Sequence, residues 1–172
     1  MMIRPALPDD APQICDIYNH YVEKTVITFE EETVSNAEMS RRISDTTMTF
    51  PWLIAERNGS IAGYAYATTW KSRSAYRFAV ESAIYLKPDM TGHGIGHDLY
   101  ESLIGELQKR RLHCVIGGIA LPNVASVALH EKLGFRKIGH FLEVGWKLNN
   151  RVDVGYWELI LNDAKPKDRT TP

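Results

Sequence analysis

The stretch Gly92-His93-Gly94-Ile95-Gly96 constrains this chain more than any other. It follows residues that alternate as a strand up to Leu86 and precedes apolar positions spaced as in a helix, beginning at Ile95. A strand, a turn of small residues and a helix leave the N–H groups of the first helical turn unpaired and pointing outward, where the helix dipole favours an anion. A phosphate or pyrophosphate is the natural guest. A dinucleotide fold would need Gly-x-Gly-x-x-Gly, but counting from Gly92 the sixth position is His97. Ile116 and Gly117 stand where that fold needs an acid, about twenty residues on. A Walker loop fails too, because neither Lys nor Ser/Thr follows Gly96.

The rest of the pattern gives a mixed α/β order. Ile3–Leu7 reads as a strand, and Asp9 or Asp10 as the cap of a helix carrying Ile14, Ile17, Tyr18 and Tyr21. Ser35-Asn36-Ala37-Glu38 opens a second helix to about Asp45, and Val26–Thr33 is a loop. Asn58-Gly59 joins Leu53–Glu56 to Ile61–Trp70 as a hairpin. From Phe78 to Leu86, Val80, Ser82, Ile84 and Leu86 fall on one face, with Glu81, Ala83 and Tyr85 on the other. A helix from Ile95 to Arg110, a strand over Val115–Ala120, a helix from the Asn123 cap to Gly134, and strands over Arg136–Leu142 and Val152–Leu161 complete the order. It predicts one domain over residues 1–162, a mixed sheet covered by helices, and a disordered polar tail over 163–172.

Composition narrows the partners. The 20 Lys and Arg residues against 21 Asp and Glu give a net charge of −1, with no general pull on nucleic acid or an anionic membrane. The N-terminus does not read as a secretory signal, and the longest apolar run, Cys114–Pro122, is far short of the ~20 residues that span a bilayer. A cytoplasmic protein is expected, with Cys15 and Cys114 as buried free thiols. His93 and His97 have a metal-ligand spacing but lack a third ligand, so no metal is expected.

The glycine turn resembles the pyrophosphate motif Arg/Gln-x-x-Gly-x-Gly/Ala of the GNAT acetyltransferases, with Gly94 and Gly96 as its glycines and Thr91 in place of Arg or Gln. Asn123-Val-Ala-Ser126-Val-Ala-Leu-His130 is similar to the family's downstream coenzyme-binding helix. Tyr18-Asn19-His20-Tyr21, Trp70-Lys71-Ser72-Arg73, Val80-Glu81-Ser82, Leu121-Pro122-Asn123 and Asp153-Val154-Gly155-Tyr156-Trp157 resemble the phosphinothricin N-acetyltransferase branch, which also includes methionine sulfoximine and sulfone acetyltransferases. The resemblance spans roughly Ile3 to Leu161 and implies the GNAT fold, with acetyl-CoA as co-substrate.

The resemblance implies the following roles. Glu81 matches the branch's proposed general base, which takes a proton from the ammonium so that the amine can attack the thioester. Backbone N–H groups of Ile84, Tyr85 and Leu86 hold the pantetheine and the developing oxyanion. Gly92, His93, Gly94, Ile95, Gly96 and His97 cradle the phosphates, with Asn123 and Ser126 as further coenzyme contacts. His130 either protonates the leaving thiolate or only touches the coenzyme. Phe29 lines the acceptor pocket, and Arg77, then Lys71 and Arg73, offer a cation to an acceptor carboxylate or phosphinate. Homodimers are common in the branch, and the Tyr156-Trp157 strand offers an interface. The rival readings are an acetyltransferase for a protein N-terminus, polyamine or aminoglycoside, and a sensor that binds acyl-CoA without turnover.

Overall fold

Trp52-Leu53-Ile54-Ala55 is apolar at every position, the signature of a strand buried on both faces. The computed structural model, which describes residues 1–161, shows the two layers that require it. On one face Leu53, Ala55, Val80 and Val115 pack against Leu99, Leu103 and Leu107. On the other, Trp52, Ile54 and Tyr64 pack against Ile14, Ile17, Met39 and Ile43. The tail expected over 163–172 lies outside the described residues.

The elements run β1 (Met2–Pro5), α1 (Ala11–Lys24), α2 (Asn36–Thr47), β2 (Trp52–Arg57), β3 (Ser60–Thr69), β4 (Ala79–Leu86), α3 (Ile95–Lys109), β5 (Cys114–Leu121), α4 (Val124–Lys132), β6 (Arg136–Lys147) and β7 (Asn150–Ile160). The seven strands form one sheet in the order β1-β2-β3-β4-β5-β7-β6. Every neighbouring pair is antiparallel except β4 with β5, which helix α3 connects as a parallel crossover.

Local chemistry sets several boundaries. Ser35 Oγ accepts from the Glu38 N–H and starts α2. Asn58 and Gly59 both take positive φ, 52° and 75°, as a tight hairpin turn between β2 and β3 requires. Asn123 Oδ1 accepts from the Ser126 N–H at the start of α4, and Gly134, at φ 90°, ends that helical segment.

Four expectations are corrected. Asp10 does not cap α1 with its side chain, because Arg4 holds both carboxylate oxygens at 2.8 Å and the Leu7 N–H donates to one of them. Strand β1 accordingly ends at Pro5 rather than Leu7. Strand β6 runs to Lys147, five residues beyond Leu142, because β7 pairs with it as far as Asn150. Trp157 is core, 2% exposed, and its indole N–H donates to Glu131. The exposed apolar series lies instead on the edge strand β6, at Ile138, Phe141, Leu142, Val144 and Trp146. Both cysteines are free thiols, Cys15 buried and Cys114 half-buried with its Sγ 3.5 Å from Glu158.

Close approach of β3 and β4 is fixed by Gly63, where a Cβ would overlap Leu86 Cδ2 and stand 2.8 Å from the Tyr85 carbonyl oxygen. Gly63→Ala is expected to lower stability by about 1–3 kcal/mol. The check is a lower urea midpoint at unchanged slope; an unchanged midpoint would show that the strands separate freely here.

Candidate active site

Strands β4 and β5 pair only from Ala79–Ser82 to Cys114–Gly117. Beyond that, β4 stays with β3 as far as Leu86 and β5 stays with β7 as far as Leu121, so the two strands part. The Lys87 N–H donates to Ala62 O, which sets the phase of the β3–β4 ladder. Ile84 and Leu86 therefore turn their N–H and C=O groups away from β3, into the gap. The Leu86 carbonyl is already taken by the Tyr21 hydroxyl at 2.6 Å, while Ile84 keeps both backbone groups toward the gap.

The glycine turn closes one end of the gap. Gly92 and Gly94 have φ of 77° and 80°, and a Cβ on either would meet nothing within 4 Å, so the turn is open toward solvent. Among the described residues, no hydrogen-bond partner is seen for the N–H groups of residues 92–96, while those of His97 and Asp98 return to Gly94 O. Gly96 sits on Leu86 and Leu129, and a Cβ there would come within 3.3 Å of Leu86. His93 and Thr91 are exposed and engaged locally, His93 with Thr91 O and Thr91 with Pro88 O. Free donors, a helix N-terminus and an open sheet edge fit the phosphates and amide arm of a coenzyme. No group of three metal-ligating side chains exists among the described residues.

Two cavities meet at the parting of the strands, sharing Ser82, Ala83, Tyr85 and Gly118 as walls. The smaller, about 50 Å³, has Asn123, Ser126 and His130 on its far side. The larger, about 370 Å³, is walled by Glu81, Glu30, Phe29, Thr28 and three tyrosines. Glu81 lies beside Gly118, where a Cβ would stand 3.4 Å from its Oε1. Burial pushes the Glu81 carboxyl up from its ordinary value, partly opposed by the charge of Lys71. Glu30 goes the other way. Burial alone would raise it, but Arg42 at 2.7 Å and the Tyr18 hydroxyl at 2.9 Å hold it below the usual range.

His130 is 4% exposed, with both ring nitrogens engaged. Its Nδ1 lies 2.8 Å from Ser126 O, an acceptor only, so Nδ1 carries the proton. Burial holds the ring pKa down, partly opposed by that bond, so Nε2 is the acceptor for the Tyr100 hydroxyl at 3.1 Å. Tyr100 also meets Ser82 Oγ. As placed, the ring offers no free N–H for a proton transfer. Gly117 permits this packing, since a Cβ there would stand 2.6 Å from Nε2.

The expected acceptor cations lie elsewhere. Lys71, Arg73 and Arg77 share one exposed segment outside the cavity wall, with Lys71 over Trp70 and Arg77 over Phe78. The charged groups on the wall are Glu30 and Glu81. Phe29 lies on the wall of the larger cavity. The sequence reading missed Tyr18, Thr28, Glu30 with its partner Arg42, and Tyr100; only the loop assignment over Val26–Thr33 pointed toward two of them.

Residues 3–154 match the acetyltransferase (GNAT) domain family. The chain is 38% identical over 156 residues to the phosphinothricin N-acetyltransferase of Streptomyces viridochromogenes, covering 91% of this chain and 85% of that one. It is 32% identical to an L-methionine sulfoximine/L-methionine sulfone acetyltransferase of Salmonella typhimurium, covering 98% and 99%. The structure superimposes with a TM-score of 0.94 on a phosphinothricin acetyltransferase from Sinorhizobium meliloti solved with acetyl-CoA, at 35% identity over 99% of this chain and 95% of that one.

Tyr100→Phe removes the donor to His130 Nε2 and leaves a buried nitrogen unpaired. A loss of about 1–3 kcal/mol is expected in urea unfolding. An unaltered midpoint would show that the Tyr100–His130 bond contributes nothing.

Proposed function

This chain belongs to the GNAT acetyltransferase family and is an acetyl-CoA-dependent N-acetyltransferase; we propose that its acceptor is the primary amine of a small amino acid such as phosphinothricin, methionine sulfoximine or methionine sulfone, with Glu81 as the general base. The observation that carries this reading is the position of Glu81 on the wall of the larger cavity, beside the point where β4 and β5 part. Acetyl-CoA would be held by the gap-facing backbone of Ile84 and Leu86, the 92–97 turn, Asn123 and Ser126, and would supply the acetyl group as a thioester; Tyr85, expected beside them, turns its backbone to β3 instead.

An amine attacks a thioester only when neutral, so the first task of the protein is to take a proton from the ammonium. Glu81 is the carboxylate on the wall that no cation neutralises by direct contact, whereas Glu30 is committed to Arg42. Its raised pKa makes it the stronger base of the two. The Ile84 N–H, turned into the gap, is suited to meet the charge that develops on the acetyl oxygen. We assign His130 to the coenzyme-side wall rather than to proton transfer. The leaving thiol has an ordinary pKa near ~8.5 and does not demand a dedicated acid. For the acceptor's acidic end, Lys71 is favoured over Arg77 and Arg73: it stands outside the wall, but near enough for its charge to reach Glu81.

The exposed apolar residues of edge strand β6 support a homodimer with a second copy along that strand. No described helix is long and apolar enough to cross a membrane, and action on a free amino acid by way of acetyl-CoA suits a cytoplasmic enzyme, protective where the acceptor is a toxic herbicide or antibiotic.

Release of free thiol from acetyl-CoA, with phosphinothricin, methionine sulfoximine, methionine sulfone, glutamate, spermidine and an aminoglycoside offered in parallel, tests the acceptor. Turnover confined to the first three is expected; turnover only with the polycations overturns the assignment. Glu81→Gln is expected to lower kcat/KM by about 10²–10⁴-fold while coenzyme binding persists. Because the base works only when deprotonated and its pKa is raised, kcat/KM should fall with decreasing pH, with a midpoint above the ordinary carboxylate value. That midpoint should vanish in Glu81→Gln, leaving only the continuous rise with pH that the neutral fraction of the amine imposes, and a carboxylate midpoint that survives would assign the base elsewhere.

A further inference from the structure

Lys147, the last residue of β6, is 2% exposed. An ammonium is strongly hydrated, so its burial requires partners that replace the water. Nζ donates to Thr28 O at 2.7 Å and to Tyr21 O at 3.3 Å. Tyr21 carries one of the last four carbonyls of α1, which the helix leaves unpaired at the negative end of its dipole. The Thr25 hydroxyl donates to the same carbonyl at 2.9 Å. A single charge thus brackets residues 21–28, the turn by which the chain leaves α1. Burial lowers the pKa of the ammonium, opposed by the charges of Glu31 and Glu30.

The segment it holds forms part of the larger cavity. Thr28, Phe29 and Glu30 are consecutive wall residues on a loop without regular structure between Lys24 and Asn36. Strand β6 supports this loop at a second point. The Phe29 ring lies on Gly145, where a Cβ would stand 2.6 Å from Cε1 and overlap Cζ. A charge gripping two carbonyls and a bare backbone under a ring lie two residues apart on one strand. The other ties of the loop reach α1 and α2, through Tyr18 with Thr28 and Glu30, Asn19 and Cys15 with Val34, and Arg42 with Glu30.

We infer that Lys147 is a positioning residue for the acceptor, fixing the Thr28–Glu30 wall against the sheet so that the acceptor's amine meets Glu81. This rests on the reading of the larger cavity as the acceptor site. Of the loop, only Ile27 reaches the coenzyme-side cavity, and the 92–97 turn, Asn123 and Ser126 lie on other elements. The effect of Lys147 therefore falls more on the acceptor than on the coenzyme.

The test compares Lys147→Met, which keeps the chain and removes the charge, with Lys147→Arg and Gly145→Ala. Acceptor KM and kcat are measured at saturating acetyl-CoA, coenzyme A affinity by calorimetry, and amide deuterium exchange over residues 25–35. Lys147→Met is expected to raise the acceptor KM by about tenfold or more, keep coenzyme affinity within about threefold, and speed exchange in that loop. Lys147→Arg should recover most of the KM. Unchanged KM in folded Lys147→Met, or KM and coenzyme affinity weakened together, overturns the inference. Should Lys147→Met fail to fold, Gly145→Ala carries the test by displacing Phe29, the wall residue that β6 supports, and an unchanged acceptor KM there overturns it. If wild-type protein acetylates no amine, the acceptor reading fails, and unaltered loop exchange in the variants would separately dispose of the clamp.

Discussion

Strands β4 and β5 are joined by four residues of parallel pairing and then by none. Up to Ser82 and Gly117 the ladder is complete; beyond them each strand keeps only its outer partner, and a short sheet edge faces inward. A bare edge normally invites aggregation. Here α1 and α4 flank it, Tyr21 takes one carbonyl, and the remaining groups face an opening sized for a slender amide-bearing arm. Both cavities and the placement of Glu81 follow from this parting.

Two carboxylates stand on one cavity wall with opposite tendencies. Glu30 has a guanidinium and a phenol directed at it and stays ionised; Glu81 has burial and only a distant ammonium, so it holds a proton more readily. Chemically identical side chains are thus given opposite proton affinities by their surroundings alone.

What the sequence made legible was local. The glycine turn, the Ser35 and Asn123 caps and the Asn58-Gly59 hairpin each rest on residues within a few positions, where steric and hydrogen-bond rules act without tertiary help. The face of Glu81 followed from strand alternation in the same way. The contacts that escaped prediction join distant positions: Lys147 reaches Thr28 across 119 residues, and Tyr100 reaches His130 across 30. Lys147 carries no mark of burial in its neighbours, and Tyr100, although it falls on the apolar face of α3 beside Leu99 and Leu103, carries no mark of its partners, because both are enclosed by elements whose arrangement only the finished sheet decides. The resemblance supplied the likeness of His130 to a coenzyme-helix position, but not the tautomer that its two partners impose.

On the proposed reading, the phosphate cradle is made of backbone, with N–H groups at residues 92–96 and two glycines at positive φ, while the acceptor wall takes Thr28, Phe29 and Glu30 from an irregular loop. The two halves therefore differ in how they can evolve. Substitutions in the loop would then alter the acceptor while leaving the acetyl donor's seat intact, so a lineage could exchange one amine for another without rebuilding the donor site. The donor half, written in main-chain geometry, has no such gradual route to a different cofactor.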